Sequence, residues 1–168
     1  VNPHLLFNTL SFVQYAAKLA PDDADEAIVG LAELMDFALK KDNRSMIRLK
    51  EEVKQGEIII RLHELRYQQQ FHVQYIKNIV DEDMLVPPLC LVTLLENLFK
   101  HGNVNDPEFP ARIIVDGTRD RIRYETHNLP RMFPFMKQEH SSTGLSNLRI
   151  RLELSYPGRH HFEYGQEG

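Results

Sequence analysis

The first quarter of the chain repeats apolar residues at helical spacing, over residues 4–20 and again over residues 24–41. The apolar positions are Leu6, Leu10, Val13 and Ala17 in the first run, and Ile28, Leu31, Leu34, Met35 and Ala38 in the second. A turn and helix-start signal, Pro21-Asp22-Asp23, separates the runs. Helices joined by so short a connection lie antiparallel, so we predict a helical hairpin. Two helices cannot enclose a core alone, and their apolar stripe therefore predicts a partner, most simply a second copy forming a four-helix bundle.

The middle of the chain changes from helical spacing to alternation and back. Apolar residues at helical spacing predict a third helix over residues 49–67. Alternating residues predict a strand over residues 71–79. Pro87-Pro88 then begins a helix that runs through residue 101, because proline suits the first turn of a helix.

The last third combines a strand pair with one more helix. Residues 111–127 indicate two strands around a turn that contains Asp116-Gly117. An irregular stretch follows over residues 129–143, then a helix over residues 145–155, and then a strand around His161–Tyr164. Helices and strands mix without regular βαβ alternation, which is typical of a two-layer α/β sandwich.

The helical pattern breaks at Asp42-Asn43-Arg44-Ser45, where we place a domain boundary. The fold class is therefore α+β, with a helical hairpin at residues 1–45 and a two-layer α/β sandwich at residues 46–168. The chain begins with Val1 rather than methionine and stops where the last predicted strand leads into a turn. We expect it to be part of a longer protein, truncated at both ends.

Composition narrows the class of protein. Hydrophobic residues make up 42% and charged residues 26% of the 168 residues, as in soluble globular proteins. The net charge of −4 argues against a nucleic-acid partner. The single cysteine, Cys90, excludes an internal disulfide and is expected to be a buried hydrophobe. No apolar stretch approaches the roughly 20 residues that span a bilayer, and no signal peptide is present, so a cytoplasmic setting is expected.

Two segments carry polar residues of the kind that bind a metal ion or phosphate. In LLENLFKHG, at residues 94–102, Asn97 lies four residues before His101, so both side chains share one helical face. Gly144 opens a second, basic helix, where backbone N–H groups and the helix dipole favour phosphate. Together, and in this order, the two segments predict a site for a magnesium nucleotide.

Three motifs resemble the signature boxes of sensor histidine kinases: NPHLLFNTL at residues 2–10, LLENLFKHG at 94–102 and GLSNLRIRLELSYP at 144–157. The similarity is greatest to the membrane-anchored subfamily that pairs with LytTR-type response regulators. Its boxes read approximately NPHFLFNTLN, LVENAIKHG and GIGLxNVxxRL. The resemblance implies a dimerising hairpin and an ATP-binding domain of the gyrase–Hsp90–kinase–MutL type.

In this family His4 would accept the γ-phosphoryl group of ATP. A neutral imidazole is a competent nucleophile near pH 7. Asn8, one helical turn later, would orient the imidazole or a water molecule. Many kinases have an acidic residue directly after the histidine, but Leu5 stands there, so the general base is not identified.

The resemblance assigns the 94–102 segment to metal and phosphate. Asn97 would be the Mg²⁺ ligand, and Glu96 would support the metal or a proton transfer. Lys100 and His101 would face the phosphates and reduce their repulsion during transfer. Gly102 would end the helix as a C-cap.

Asn128 ends a predicted strand where most of the superfamily has an aspartate that accepts a hydrogen bond from adenine. An asparagine carbonyl can accept the same bond, without charge assistance. His127 is the rival assignment. Leu129-Pro130 stands where the family's first glycines would follow.

The second glycine box keeps only its last glycine, Gly144, after Ser142 and Thr143. Gly144, Leu145 and the Thr143 hydroxyl would contact phosphate. Asn147 and Arg151 lie four residues apart and would both face the nucleotide. Phe133 and Phe135 occupy the position of the family's ATP lid, where they would either cover the nucleotide or pin the loop to the core.

The resemblance implies an ATP- and Mg²⁺-dependent kinase that phosphorylates His4 and relays the group to an aspartate of a response regulator. It would be a homodimer and the cytoplasmic domain of an inner-membrane protein. The altered glycine boxes leave an alternative open, a pseudokinase that acts as a dimeric signalling scaffold. A third reading, an ATPase of the same fold, leaves NPHLLFN unexplained.

Overall fold

A computed structural model describes residues 3–40, 46–131 and 142–165 of the chain. Within them the protein has an α+β fold, as predicted. The helices are α1 Pro3–Leu19, α2 Pro21–Lys40, α3 Leu49–Tyr67, α4 Cys90–His101 and α5 Ser142–Ser155. The strands are β1 Ile47–Arg48, β2 Val73–Ile79, β3 Leu85–Val86, β4 Gly102–Asn103, β5 Ala111–Gly117, β6 Ile122–His127 and β7 Leu129–Pro130. The expected boundary at residues 42–45 lies outside the described residues.

The predicted helical hairpin is confirmed, with Ala20 alone between α1 and α2. α2 begins at Pro21, three residues earlier than predicted, since proline and the acidic pair Asp22 and Asp23 all suit the first turn of a helix. The hairpin packs against α3, and Ala27 and Leu34 join the same buried cluster as the core of the remaining elements.

Ion pairs accompany this packing between α2 and α3. Arg61 on α3 binds Glu26 through two hydrogen bonds of 2.6 and 2.9 Å, and Lys54 lies 2.7 Å from Glu33. Between the pairs Gly30 lets the helices approach, because a Cβ there would lie 3.2 Å from Ile58 Cγ2. α3 therefore supplies part of the partner that the apolar stripe of the hairpin predicts.

The main sheet has three strands in the order β2-β5-β6, with β2 parallel and β6 antiparallel to β5. Along β5 every second residue is buried beneath the helices: Ala111, Ile113, Val115 and Gly117. The helices cover this face of the sheet, and the other face carries an exposed ion pair between Arg123 and Asp116.

The turn between β5 and β6 differs from the prediction. Asp116 and Gly117 belong to β5, and the turn is made by residues 118–121, where the Thr118 N–H donates to the Arg121 carbonyl at 2.8 Å. Gly117 is buried instead because α3 comes close: a Cβ there would lie 3.0 Å from Leu49 Cδ2. An Asp-Gly pair therefore serves packing here rather than the turn.

The C-terminal region also differs from the prediction. α5 begins at Ser142, three residues early, so that Gly144 lies inside its first turn. The strand expected around His161–Tyr164 is wrong, since those residues have no strand partner and Phe162 packs against Tyr164 at 5.6 Å between ring centroids. Arg149 of α5 lies over both rings, which ties this segment to the helix rather than to the sheet.

Candidate functional site

α4 carries most of the predicted site residues, and its apolar face explains its position. Leu91, Leu95 and Leu98 are at most 1% exposed and anchor the helix in the core. Cys90, at the helix start, is also buried and donates its thiol hydrogen to the Pro87 carbonyl, as expected of a small hydrophobe. Asn97 lies on the flank of this apolar face and is half-buried.

α5 lies beside the flank of α4 that carries Asn97. Thr93 precedes Asn97 by one helical turn, and a Cβ at Gly144 would lie 3.7 Å from Thr93 Cγ2. Leu145 is buried at 7% exposure and holds the first turn of α5 against the core, whereas Asn147 is exposed. The structure therefore brings the two predicted halves of the nucleotide site into contact. The side chain of Thr143 and residues Phe133 and Phe135 lie outside the description.

Asn128 lies at the other end of α4, directly over Gly102. A Cβ on Gly102 would lie 2.6 Å from the Leu98 carbonyl oxygen and 2.8 Å from Asn128 Cγ. Gly102 has an ordinary φ of −83°, so glycine is required there by this close approach and not by a left-handed turn. His127 points the other way, with Nε2 3.5 Å from the Glu125 carboxylate. Between the two rivals, only Asn128 lies against the helix with the predicted site.

A cavity of about 190 Å³ separates α1 from α3 and α4. Asn8 of α1 lines one side, and Glu96 and Lys100 of α4 line the other. The remaining lining residues are Leu5, Ile59, His63, Arg66, Tyr67, Phe99 and Arg131. His4 belongs to the first turn of α1, one turn before Asn8, and its side chain lies outside the description. The fold thus places the start of α1 against the flank of α4 that carries Glu96.

The sequence is similar to those of known proteins. Residues 1–71 match the family model described as histidine kinase. A sensor histidine kinase/phosphatase LytS from Staphylococcus aureus strain Mu50 is 25% identical, over 91% of this chain and 28% of that protein. The chain is thus similar to sensor histidine kinases. Sensor protein LytS is 29% identical in Staphylococcus saprophyticus and 27% identical in Staphylococcus epidermidis RP62A, in both over 62% of this chain and 18% of the relative. The chain thus spans less than a third of these relatives.

The electrostatics of α4 differ in one respect from expectation. Burial lowers the pKa of His101, and the charges of Lys100 and Arg131 lower it further. His101 is therefore a neutral imidazole at pH 7, and the positive charge in this part of α4 comes from Lys100. Among the described residues that line the cavity, Arg66 and Arg131 add two more cations, and Glu96 is the single carboxylate.

Arg151 is placed differently from the direct nucleotide contact expected of it. Its guanidinium Nη1 donates to the carbonyl oxygen of Pro88 at 2.7 Å. α5 is thereby tied to the segment that leads into α4. The structure gives Arg151 a role in holding the two helices together, and its contact with nucleotide stays a prediction.

Two residues missed by the sequence reasoning hold the ends of α4. Glu52 of α3 is fully buried and accepts hydrogen bonds from the N–H groups of Leu89 and Leu91. Arg131 donates to carbonyl oxygens at the other end. A signal for Glu52 was present, because it lies three residues after Leu49 on the apolar face of α3. No local pattern indicated Arg131.

No helix of the described ranges is both long and apolar enough to cross a membrane.

Proposed function

We propose that this chain is the kinase core of the sensor, with the sandwich type of the gyrase–Hsp90–kinase–MutL ATPases in residues 46–168 and the phospho-acceptor hairpin in residues 1–45. The γ-phosphoryl group of ATP passes to an imidazole nitrogen of His4. The bond from γ-phosphorus to the bridging oxygen breaks, a P–N bond forms, ADP leaves, and the imidazole loses its N–H proton. The phosphoryl group is then relayed to an aspartate of a response regulator of the LytTR type.

The observation that carries this proposal is the cavity between α1 and α4. It puts Asn8, one turn after His4, opposite Glu96 and Lys100, although these residues are some 90 positions apart in the chain. Positioning and charge neutralisation supply most of the catalysis of phosphoryl transfer. Glu96 is the carboxylate that would accept the imidazole proton, and Lys100 offsets the negative charge of the phosphates.

The residues present fit a magnesium ion held mainly by its nucleotide. Mg²⁺ takes oxygen ligands and usually keeps waters and substrate phosphates among them. Among the described residues no group of three or more His, Cys, Asp or Glu could hold a metal by itself. The amide oxygen of Asn97, half-buried beside the first turn of α5, would then be the protein ligand.

A homodimer through the hairpin is supported by apolar side chains that α3 leaves uncovered. Phe7, Leu10, Ile28 and Met35 are between 43% and 67% exposed on α1 and α2. An apolar surface of this kind marks a protein–protein contact.

The phosphate donor ATP is cytoplasmic, so the chain would lie in the cytoplasm. The resemblance to membrane-anchored kinases implies that it is the cytoplasmic part of an inner-membrane protein.

The dimer is tested by sedimentation of Ile28→Glu beside Val80→Glu, since Val80 is 72% exposed far from the hairpin. Ile28→Glu should shift the chain to monomer and Val80→Glu should not. An unchanged dimer in Ile28→Glu would rule out this surface.

The kinase reaction is tested with γ-labelled ATP on the chain and on His4→Gln and Asn97→Ala. His161→Gln and Asn105→Ala serve as matched controls, because both side chains are exposed and neither lines the cavity. Acid-labile label that disappears in His4→Gln and Asn97→Ala, but not in the controls, supports the proposal. Nucleotide binding without label would favour an ATPase, and absence of nucleotide binding would favour the scaffold.

A further inference from the structure

The N-terminal end of α4 is capped by a side chain from another helix. Glu52 of α3 is 0% exposed, and its two carboxylate oxygens accept hydrogen bonds of 2.8 Å from the N–H groups of Leu89 and Leu91. Leu89, the N-cap, has a left-handed backbone (φ 64°) and makes no side-chain cap of its own. The first N–H groups of a helix need such acceptors, and a negative charge there is favoured by the helix dipole.

The C-terminal end of α4 is held by a cation from the segment after β7. Arg131 Nε donates to the Gly102 carbonyl at 2.9 Å, and Nη2 donates to the Phe99 carbonyl at 2.9 Å and to the Tyr67 hydroxyl at 3.0 Å. Its backbone N–H donates to the His101 carbonyl at 3.1 Å. The last carbonyls of a helix lack partners within the helix, and a positive charge there is favoured by the dipole.

Both contacts fit a positioning role better than a contribution to stability alone. A buried carboxylate such as Glu52 must be desolvated, and this cost offsets part of what its two hydrogen bonds contribute to stability. What the charge adds is a fixed geometry, since two charge-assisted bonds specify both the rotation and the axial position of the first turn. The planar guanidinium of Arg131 does the same for the last turn.

We infer that Glu52 and Arg131 are a pair of positioning residues that together fix α4 in the rotation and axial position at which Asn97 and Lys100 meet the phosphate end of a nucleotide. This inference rests on the proposed function. α4 has 12 residues, so each candidate residue lies within about two turns of one of the held ends. A displacement of about 1 Å is enough to disturb phosphoryl chemistry strongly.

The test compares Glu52→Gln and Arg131→Lys with matched controls. Glu57→Gln changes a carboxylate of the same helix that binds Tyr75 and Lys77 instead of α4. Arg123→Lys changes an arginine with three hydrogen bonds to carboxylates on the far face of the sheet. Affinities for Mg-ATP and for adenosine are measured by competition with a fluorescent nucleotide. The temperature is kept well below the melting temperature of each variant.

Both variants should lose about tenfold or more in Mg-ATP affinity, equivalent to ~1.4 kcal/mol. In Glu52→Gln the adenosine affinity should stay within about twofold, because adenine is expected to contact Asn128, at the opposite end of α4 from Glu52. The controls should keep both affinities. Equal losses of affinity for Mg-ATP and adenosine in Glu52→Gln would overturn the inference, because a general loosening of the fold affects both ligands alike. An unchanged affinity for Mg-ATP would overturn it as well.

Amide hydrogen exchange keeps the failure of the inference distinct from failure of the proposed function. In Glu52→Gln the Leu91 N–H should exchange faster while amides in the middle of α3 and in β5 keep their rates. If the unmodified chain binds no Mg-ATP, the proposed function fails, and the exchange result still decides whether Glu52 fixes α4. Unchanged exchange at Leu91 would overturn that role, and Arg131→Lys provides the second variant if Glu52→Gln does not fold.

Discussion

α3 and α4 approach each other closely at Gly56, and Gly56→Ala should destabilise the protein. A Cβ at this position would lie 2.6 Å from Leu91 Cδ2, 3.1 Å from Leu91 Cγ and 3.3 Å from Leu95 Cδ1. Leu91 is 1% exposed and Leu95 0%, so neither side chain can move aside into solvent. An added methyl group must therefore displace part of the core or part of α4.

Two opposing contributions set the size of the effect. Alanine is favoured over glycine inside a helix by about 1 kcal/mol. Overpacking a well-filled core costs about 1–3 kcal/mol. Because the new methyl group would meet Cδ2 of the buried Leu91 at 2.6 Å, we place the cost in the upper part of that range. The free energy of unfolding of Gly56→Ala should then be lower by about 1–2 kcal/mol.

Urea unfolding followed by circular dichroism at helical wavelengths measures this free energy. Gly144→Ala is the matched control, since it also adds a methyl group to a helix but meets Thr93 Cγ2 at an ordinary 3.7 Å. The control should equal or exceed the original chain in stability. If Gly56→Ala were as stable as the original chain or more so, helix propensity would outweigh the contact, and the close approach of α3 and α4 would be wrong.

Three further outcomes are expected. In a double-mutant cycle of Arg61→Gln and Glu26→Gln the coupling should be about 0.5 kcal/mol and fall in 1 M NaCl, because both side chains are nearly half exposed; coupling unaffected by salt would contradict a surface ion pair. His101→Gln should weaken the fall in unfolding free energy between pH 7.5 and pH 5.5. Burial lowers the pKa of His101 in the folded state. Below the ordinary histidine pKa the unfolded state therefore binds more protons than the folded state, and stability is lost as the pH falls. Identical pH profiles for His101→Gln and the original chain would contradict this reasoning. Gly102→Ala should lower the melting temperature, because its methyl group would lie 2.6 Å from a backbone carbonyl oxygen that cannot rotate away; an unchanged melting temperature would show that the turn can relax.

The helices and the three strands of the main sheet could be predicted because their signals are local and repeated. The bounds of α3 match the expected residues 49–67, since its apolar positions persist through five helical turns. The existence of α4 follows from its apolar face, but the helix begins at Cys90 and not at Pro87-Pro88, because Leu89 has a left-handed backbone and is the N-cap. β2 follows from alternation. The strand expected around residues 161–164 failed for the opposite reason. Its few alternating residues are as compatible with ring packing beneath Arg149 as with a sheet.

The candidate site could be predicted as far as its residues form sequence motifs. Asn97, Gly102 and Gly144 were found by spacing and resemblance, and the structure brings them to one helix and its immediate neighbour. The motif could not choose between Asn128 and His127, because neighbouring strand residues face opposite sides of a sheet and the side that meets α4 depends on register. Pairing in the three-dimensional structure puts Asn128 on that side.

The contacts that hold α4 could not be predicted, because each joins residues far apart with no fixed spacing. Glu52 reaches Leu89 and Leu91 across 37 and 39 positions, and Arg131 reaches Tyr67 across 64. An acidic residue on an apolar helical face indicates that some buried donor must satisfy it, but the sequence does not say which. The first N–H groups and the last carbonyl groups of α4 also need hydrogen-bond partners, because the helix itself supplies none for them. A buried acidic residue such as Glu52 is therefore expected to bind the start of some helix. Only the packing of α3 against α4 shows that this helix is α4, which carries Asn97.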